Sequence, residues 1–247
     1  MRDYVLTVLA AGFVITTTSL GFWQLRRLAQ RRAQNAEVIA RLAQPPLQIR
    51  QLSHDSAALH YHRVVLNGVY DFAHEFKVTE RTRNGSPGVN IITPLHIAGT
   101  DTVVLVNRGW VYAPDGVTVD LTPWREADSL TGTGYARPLF KPFPGSAVLR
   151  GRPDAFRWLD LTALRSRLPY PVFPFVIVLE GDDAVHGKIL PRIPPPPLDE
   201  GPHRSYAIQW FSFAIIAVVG MFFFLRVVPD RSLDGISVPE RSRSNER

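Results

Sequence analysis

Two uncharged stretches constrain this chain more than anything else in it. From Tyr4 to Leu25, and again from Ser205 to Leu225, no Asp, Glu, Lys or Arg occurs, and each run reaches the roughly 20 residues that span a bilayer's hydrocarbon core. Lipid offers no partner for backbone polar groups, so both runs are expected as transmembrane helices, 4–25 and 205–225. The first reads as an uncleaved anchor. Only Arg2 and Asp3 precede it, it is longer than the apolar core of a signal peptide, and no cleavage site closes it before Arg26. Arg26 and Arg27 follow the run instead of leading it, so they are no twin-Arg export signal. No Arg- and Ser-rich leader precedes residue 4, and a bacterial membrane is the expected setting.

Two spans put both termini on one side and the middle of the chain on the other. Arginine bias does not choose the side. Arg26, Arg27, Arg31 and Arg32 outweigh Arg2 across the first run, whereas Arg226, Arg231, Arg241, Arg243 and Arg247 outweigh Arg192 and Arg204 across the second. Trp23 closes the first run, and Tyr206 and Trp210 open the second, so these interface-seeking rings gather toward the large middle domain. Gln24 and Gln209 lie near the same depth, where polar groups need partners.

Composition removes whole classes of chemistry. The chain has no cysteine, which excludes disulfides, thiolate zinc and c-type haem attachment. Methionine stands only at positions 1 and 221, so a Met-rich copper donor is excluded too. The sequence pI near 10.0 is accounted for by arginines bracketing the apolar runs, and no nucleic-acid motif accompanies it.

Between the runs the period changes. A helical pattern persists through 26–44, with Leu25, Leu28, Ile39 and Leu42 near one face, until Pro45 and Pro46 stop it. Over 45–190 the chain reads as a β-rich domain, an antiparallel sheet or barrel. Its strands are expected over 61–72, 74–80, 89–97, 102–112, 131–139 and 173–179, separated by breaker clusters such as Asn84-Gly85-Ser86-Pro87-Gly88. Asp160 caps one minor helix over 161–168. Residues 191–202, with Pro194 through Pro197, read as an extended spacer, and 229–247 as a disordered tail.

Recognised catalytic motifs are missing, and no catalytic residue is assigned. Ser53-His54-Asp55 is a triad only in writing, because three adjacent side chains do not aim a base at a nucleophile. His60 and His62 share a strand face without a third ligand, and Glu180, Asp182 and Asp183 lack the spacing of a calcium loop. What remains is the start of the second run. On a helix His203, Tyr206, Ala207, Trp210, Ala214 and Ala217 form one stripe that suits a partner helix or a flat ligand. A neutral imidazole there can ligate haem iron, with Arg204, Arg26 and Arg27 available to propionates; a His that snorkels to the interface is the alternative.

The chain resembles the Surfeit locus protein 1 family of cytochrome c oxidase assembly factors from end to end. The resemblance rests on Gly21-Phe22-Trp23-Gln24-Leu25 with Arg27-Leu28, on Gly88-Val89 through Thr93-Pro94-Leu95, and on Val106-Asn107-Arg108-Gly109-Trp110-Val111. Trp158-Leu159-Asp160 and His203 with Tyr206-Ala207 and Trp210-Phe211 complete it. It implies a non-enzymatic, multi-pass protein of the bacterial cell membrane with cytoplasmic termini and an extracytoplasmic β-rich domain. It further implies action on subunit I of a haem-copper oxidase, haem a as cofactor, and contact with the haem a synthesis machinery. His203 becomes the expected iron ligand, with Tyr206, Trp210, Trp23, Gln24 and Arg204 beside the cofactor. The alternative is an accessory factor that stabilises subunit I without haem. Two departures stand out: Pro202 replaces the Asn usual before that His, and Arg31 or Arg32 replaces a Lys. Arg108 and Trp110 read as anchors of the fold.

Overall fold

The computed structural model describes residues 2–49, 55, 58–139, 144–181 and 190–227. Ser53, His54, Asp182, Asp183 and the tail from 229 lie outside these. The described residues form two compact units, divided between Gln34 and Asn35 and between Leu198 and Asp199.

The unit 35–198 is the β-rich one. Its strands are β1 (Leu47–Gln48), β2 (Arg63–Tyr70), β3 (Phe76–Arg83), β4 (Ser86–Ile97), β5 (Val103–Tyr112), β6 (Ser129–Pro138), β7 (Ala155–Phe156) and β8 (Val172–Leu179). Six correspond to the strands expected from two-residue periodicity; the two-residue β1 and β7 are too short to leave a period. The order is β1-β2-β6-β8-β5-β4-β3-β7, and β4 also pairs with β2, which closes β2, β6, β8, β5 and β4 into a barrel. Closure depends on Gly68, where a Cβ would stand 2.2 Å from the His96 carbonyl oxygen. Alternation along β2 buries Val64, Leu66 and Tyr70 and turns Asn67 and Val69 outward. Asn84 and Gly85, at φ 49 and 79, form the two-residue hairpin turn that such a pair favours.

Three pairings depart from the antiparallel expectation: the short β1 and β7 lie parallel to β2 and β3, and the third involves a long strand. β8 inserts between β5 and β6 and runs parallel to β5. A parallel neighbour needs a long crossover, and the chain between β6 and β8 supplies it. That crossover carries α2 (Leu161–Arg165), whose N-cap Asp160 accepts from the Ala163 N–H at 2.8 Å. It covers the sheet's outer face, where Phe76, Val78, Ile92, Leu105, Phe156, Leu159, Leu164 and Val176 cluster. Leu66, Leu95, Val104, Val106, Phe175 and Ile177 fill the other face. His60 and His62 sit in the turn before β2, not on a strand, and the His60 ring stacks on Tyr61 at 3.9 Å.

Arg108 is wholly buried. A register shift of β5 against β4 leaves it out of the pairing, and its guanidinium fills an end of the barrel. It donates from Nε to Thr93 Oγ1 at 2.8 Å, from Nη1 to the Trp124 carbonyl at 2.9 Å and from Nη2 to Glu75 at 2.6 Å. The Tyr70 and Phe72 rings stand 5.6 and 5.1 Å from its guanidinium carbon. Arg192 joins through Glu126 at 3.0 Å and donates to the Arg108 carbonyl. Trp110 Nε1 donates to the Arg81 carbonyl. Both residues of the Asn-Arg-Gly-Trp segment therefore hold the fold. Residues 191–198 are extended but tied down: Tyr135 Oη donates to the Pro194 carbonyl and Asn35 Nδ2 to that of Leu198.

The other unit is a helix pair, the first part of α1 (Arg2–Leu42) with α3 (His203–Val227). Both helices are long and apolar enough to cross a membrane, and only 11% and 6% of their most apolar windows are buried. Core helices of a soluble domain hide such faces; these leave them open, which is compatible with membrane anchoring.

Candidate functional site

The helix pair meets along a seam spaced three and four residues apart. On α1 it runs through Thr7, Ala10, Val14, Thr17, Gly21, Gln24 and Leu28, the last four buried; on α3 it runs through His203, Ala207, Trp210, Ala214, Ala217 and Met221. This is the heptad pattern of two helices packing knobs into holes. Small residues let the backbones approach. At Gly21 a Cβ would lie 2.6 to 2.9 Å from ring atoms of Phe211, whose ring meets Phe22 edge-on at 5.3 Å.

One polar contact interrupts this apolar seam. His203 Nδ1 and Gln24 Oε1 lie 2.8 Å apart, and Gln24 is only 8% exposed. An amide oxygen only accepts, so Nδ1 donates in this contact, and the lone pair of a neutral ring held this way stands on Nε2. Ligating histidines are commonly held this way, with the distal N–H donated to a fixed oxygen that sets tautomer and ring orientation. Gly201, at φ 66, lies beside Nε2, and a Cβ there would come within 3.6 Å of it. The donor set is thus one oriented imidazole, which suits an axial ligand of haem iron. Among the described residues no group of three His, Asp or Glu could hold a bare metal ion.

The start of α3 is held by its own backbone and by α1. The Pro202 carbonyl accepts from the Tyr206 N–H and the Ser205 hydroxyl. Arg32 grips the Glu200 carboxylate with two hydrogen bonds, of 2.7 and 2.9 Å, and Arg31 Nε donates to the Asp199 carbonyl. The hydrogen bond from Arg32 holds the Glu200 carboxyl below its ordinary range.

Of the residues the sequence singled out, His203 and Gln24 come into contact and Trp210 lies half-buried on the seam, edge-on to Phe213 at 5.9 Å. Tyr206, Trp23 and Arg204 are exposed and off the seam. Arg27 stands 6.0 Å from the Trp23 ring centroid. The stripe read from the sequence included Tyr206, but Ala207 occupies the buried position and Phe211 joins from the flank. Gln24 partners His203; Gln209, matched to it by depth, is exposed. The missed signal was the spacing Thr17, Gly21, Gln24 and Leu28, which puts Gln24 on the seam.

Sequence reasoning also passed over a cluster in the β-rich unit. Asp71 Oδ2 accepts from His74 Nδ1 at 2.7 Å and Tyr170 Oη at 2.8 Å, with His96 Nε2 at 3.8 Å. Burial pushes the Asp71 carboxyl up, but the hydrogen bonds from His74 and Tyr170 outweigh it and the net shift is down. Asp71 and His74 share one turn, but His96 and Tyr170 come from two other segments, so no local pattern could reveal the whole cluster.

The SURF1 family matches this chain over residues 11–215, which include most of the seam, the His203–Gln24 contact and the whole barrel. The chain belongs to the SURF1 family. This SURF1-family chain is 27% identical over 206 residues to a SURF1-like protein of Rickettsia felis, covering 81% of this chain and 88% of that one. It is 26% identical to a SURF1-like protein of Monosiga brevicollis, covering 93% and 90%. An uncharacterised SURF1-like protein of Mycobacterium bovis is 28% identical, with 88% and 80% covered. The SURF1 family is known generally as one of cytochrome oxidase assembly factors, not of enzymes.

Proposed function

We propose that this SURF1-family chain is a membrane-bound assembly factor for a haem-copper (cytochrome c) oxidase that binds haem a on its way into subunit I. Both helices cross a bacterial cell membrane, with the termini cytoplasmic and the barrel extracytoplasmic. The observation that carries the haem reading is the 2.8 Å contact between His203 Nδ1 and Gln24 Oε1. A buried carboxamide spent on one imidazole nitrogen leaves the other as a pre-oriented donor.

Haem would supply an iron able to take such a nitrogen as a ligand. The chain's own residues would do the rest: His203 would hold the iron through Nε2, and Gln24 positions the ring. Trp210, Trp23 and Tyr206 offer aromatic surface, and Arg204, Arg26 and Arg27 offer cations to propionates. A single imidazole ligand also permits release, which a carrier needs.

The test is the absorption spectrum and haem content of the protein purified from cells making haem a, beside His203→Ala and Gln24→Leu. Haem lost in the first variant and reduced in the second is expected; equal haem in all three rejects the ligand. The apolar side chains that both helices leave exposed favour a second reading, in which the helix pair packs against subunit I and stabilises it without haem. Copurification with the oxidase and no haem in any preparation would select that reading.

A further inference from the structure

The outer face of the barrel carries a pocket that the oxidase reading does not use. A cavity of about 110 Å³ opens beside Leu159, walled by Val78, Ile92, Val176 and Val178, with Arg81, Arg137, Asn90 and Asn107 supplying its polar atoms. Asn90 and Ile92 on β4, and Val176 and Val178 on β8, reach it by ordinary two-residue alternation. Val78 and Arg81 on β3 do not. They are three positions apart, which in a regular strand puts them on opposite faces.

A β-bulge brings them together. The β3–β4 register shifts between Val78 and Arg81, and Glu80 within the bulge has φ 57, a left-handed conformation costly to a residue with a side chain. Bulges re-aim side chains in this way. Trp110 Nε1 holds the Arg81 carbonyl, and Arg81 Nη2 donates to the Arg157 carbonyl at 2.6 Å, so the arginine is fixed where the bulge puts it.

The charge there is unbalanced. Among the described residues no carboxylate lines the cavity and neither Arg81 nor Arg137 belongs to an ion pair. Burial and then the neighbouring Arg137 push Arg81 down, outweighing the opposing pull of Glu80, and Arg137 adds to the lowering of His60 after burial. Asn107, 6% exposed, spends its Oδ1 on the Gly109 N–H at 3.2 Å. Its amide NH₂, a buried donor, is therefore the end left to the cavity. Two cations and a buried donor over an apolar floor are the complement of a carboxylate on a short aliphatic stem.

We infer that this pocket binds the carboxylate of a small aliphatic acid, its oxygens on Arg81, Arg137 and the Asn107 amide and its stem against Val78, Ile92 and Val176. At about 30 Å³ per water-sized group, a head and two or three carbons fill it. Butyrate is the probe. Saturation-transfer NMR on the full chain in a neutral maltoside detergent is expected to give saturable binding, millimolar for so small a ligand. Arg137→Gln should weaken it about tenfold or more, the loss expected for a charged hydrogen-bond partner, while Arg137→Lys retains most of it. Among the described residues Arg137 belongs to no ion pair, so the melting temperature of both variants should match the parent. Butanol binding as well as butyrate, inorganic phosphate competing on equal terms, or Arg137→Gln binding like the parent would each overturn the assignment. The haem content of the protein does not enter this measurement.

Discussion

Replacing Arg108 with methionine tests the claim that a buried ion network holds one end of the barrel. Arg108 is 0% exposed and its partner Glu75 only 5% by side chain. The substitution therefore strands a carboxylate in the interior, removes the donor to the Trp124 carbonyl and empties the space between the Tyr70 and Phe72 rings. Breaking a buried pair from one side costs about 3–5 kcal/mol. With a urea dependence of about 2 kcal/mol/M, that lowers the unfolding midpoint by roughly 2 M. Removing both charges, in Arg108→Met with Glu75→Gln, leaves no stranded ion. The double variant should lie at least about 2 kcal/mol above the sum of the single losses. Trp110, Trp124 and Trp158 belong to the barrel unit, and their fluorescence reports its unfolding in the full chain. A midpoint shift under about 0.5 M for Arg108→Met, or strict additivity in the double variant, would refute the network as the source of stability.

Other substitutions probe the remaining contacts. Gly21→Leu places a side chain where Phe211 packs and should destabilise the helix pair by about 1–3 kcal/mol; cysteine cross-linking between α1 and α3 would reveal it, and undiminished cross-linking would refute the seam. Gly85→Ala puts a Cβ at φ 79 and should cost about 1 kcal/mol in thermal unfolding of the barrel. The depressed Asp71 carboxyl contributes stability that is present above the ordinary Asp value of about 3.9 and lost as pH falls through its lower folded value. Asp71→Asn should therefore flatten the acid limb of a stability-against-pH curve and leave its slope near neutrality unchanged. Arg32→Gln removes an exposed grip on Glu200 and should leave thermal stability within about 0.5 kcal/mol, a contrast with Arg108 that a single melting series can measure.

The sequence alone determined what one-dimensional period and solvent impose. The two uncharged runs set the helix pair, two-residue alternation set the six long strands, and Asn84-Gly85 and Asp160 set a turn and a cap, because each of these is a local cost or gain. The His203 stripe was read from its period in α3, and the spacing that puts Gln24 on the seam, though passed over, is periodic in α1 as well. Their partnership was not legible: Gln24 and His203 are 179 residues apart, and a residue's depth does not say which way it faces across the seam. The parallel insertion of β8 beside β5, the bulge that swings Arg81 beside Arg137, and the convergence of Glu75, Thr93 and Arg108 were likewise decided only by tertiary structure. Each depends on which segments pack together once the barrel closes, and a buried charge or a strained backbone is tolerated only where the whole fold supplies its partner.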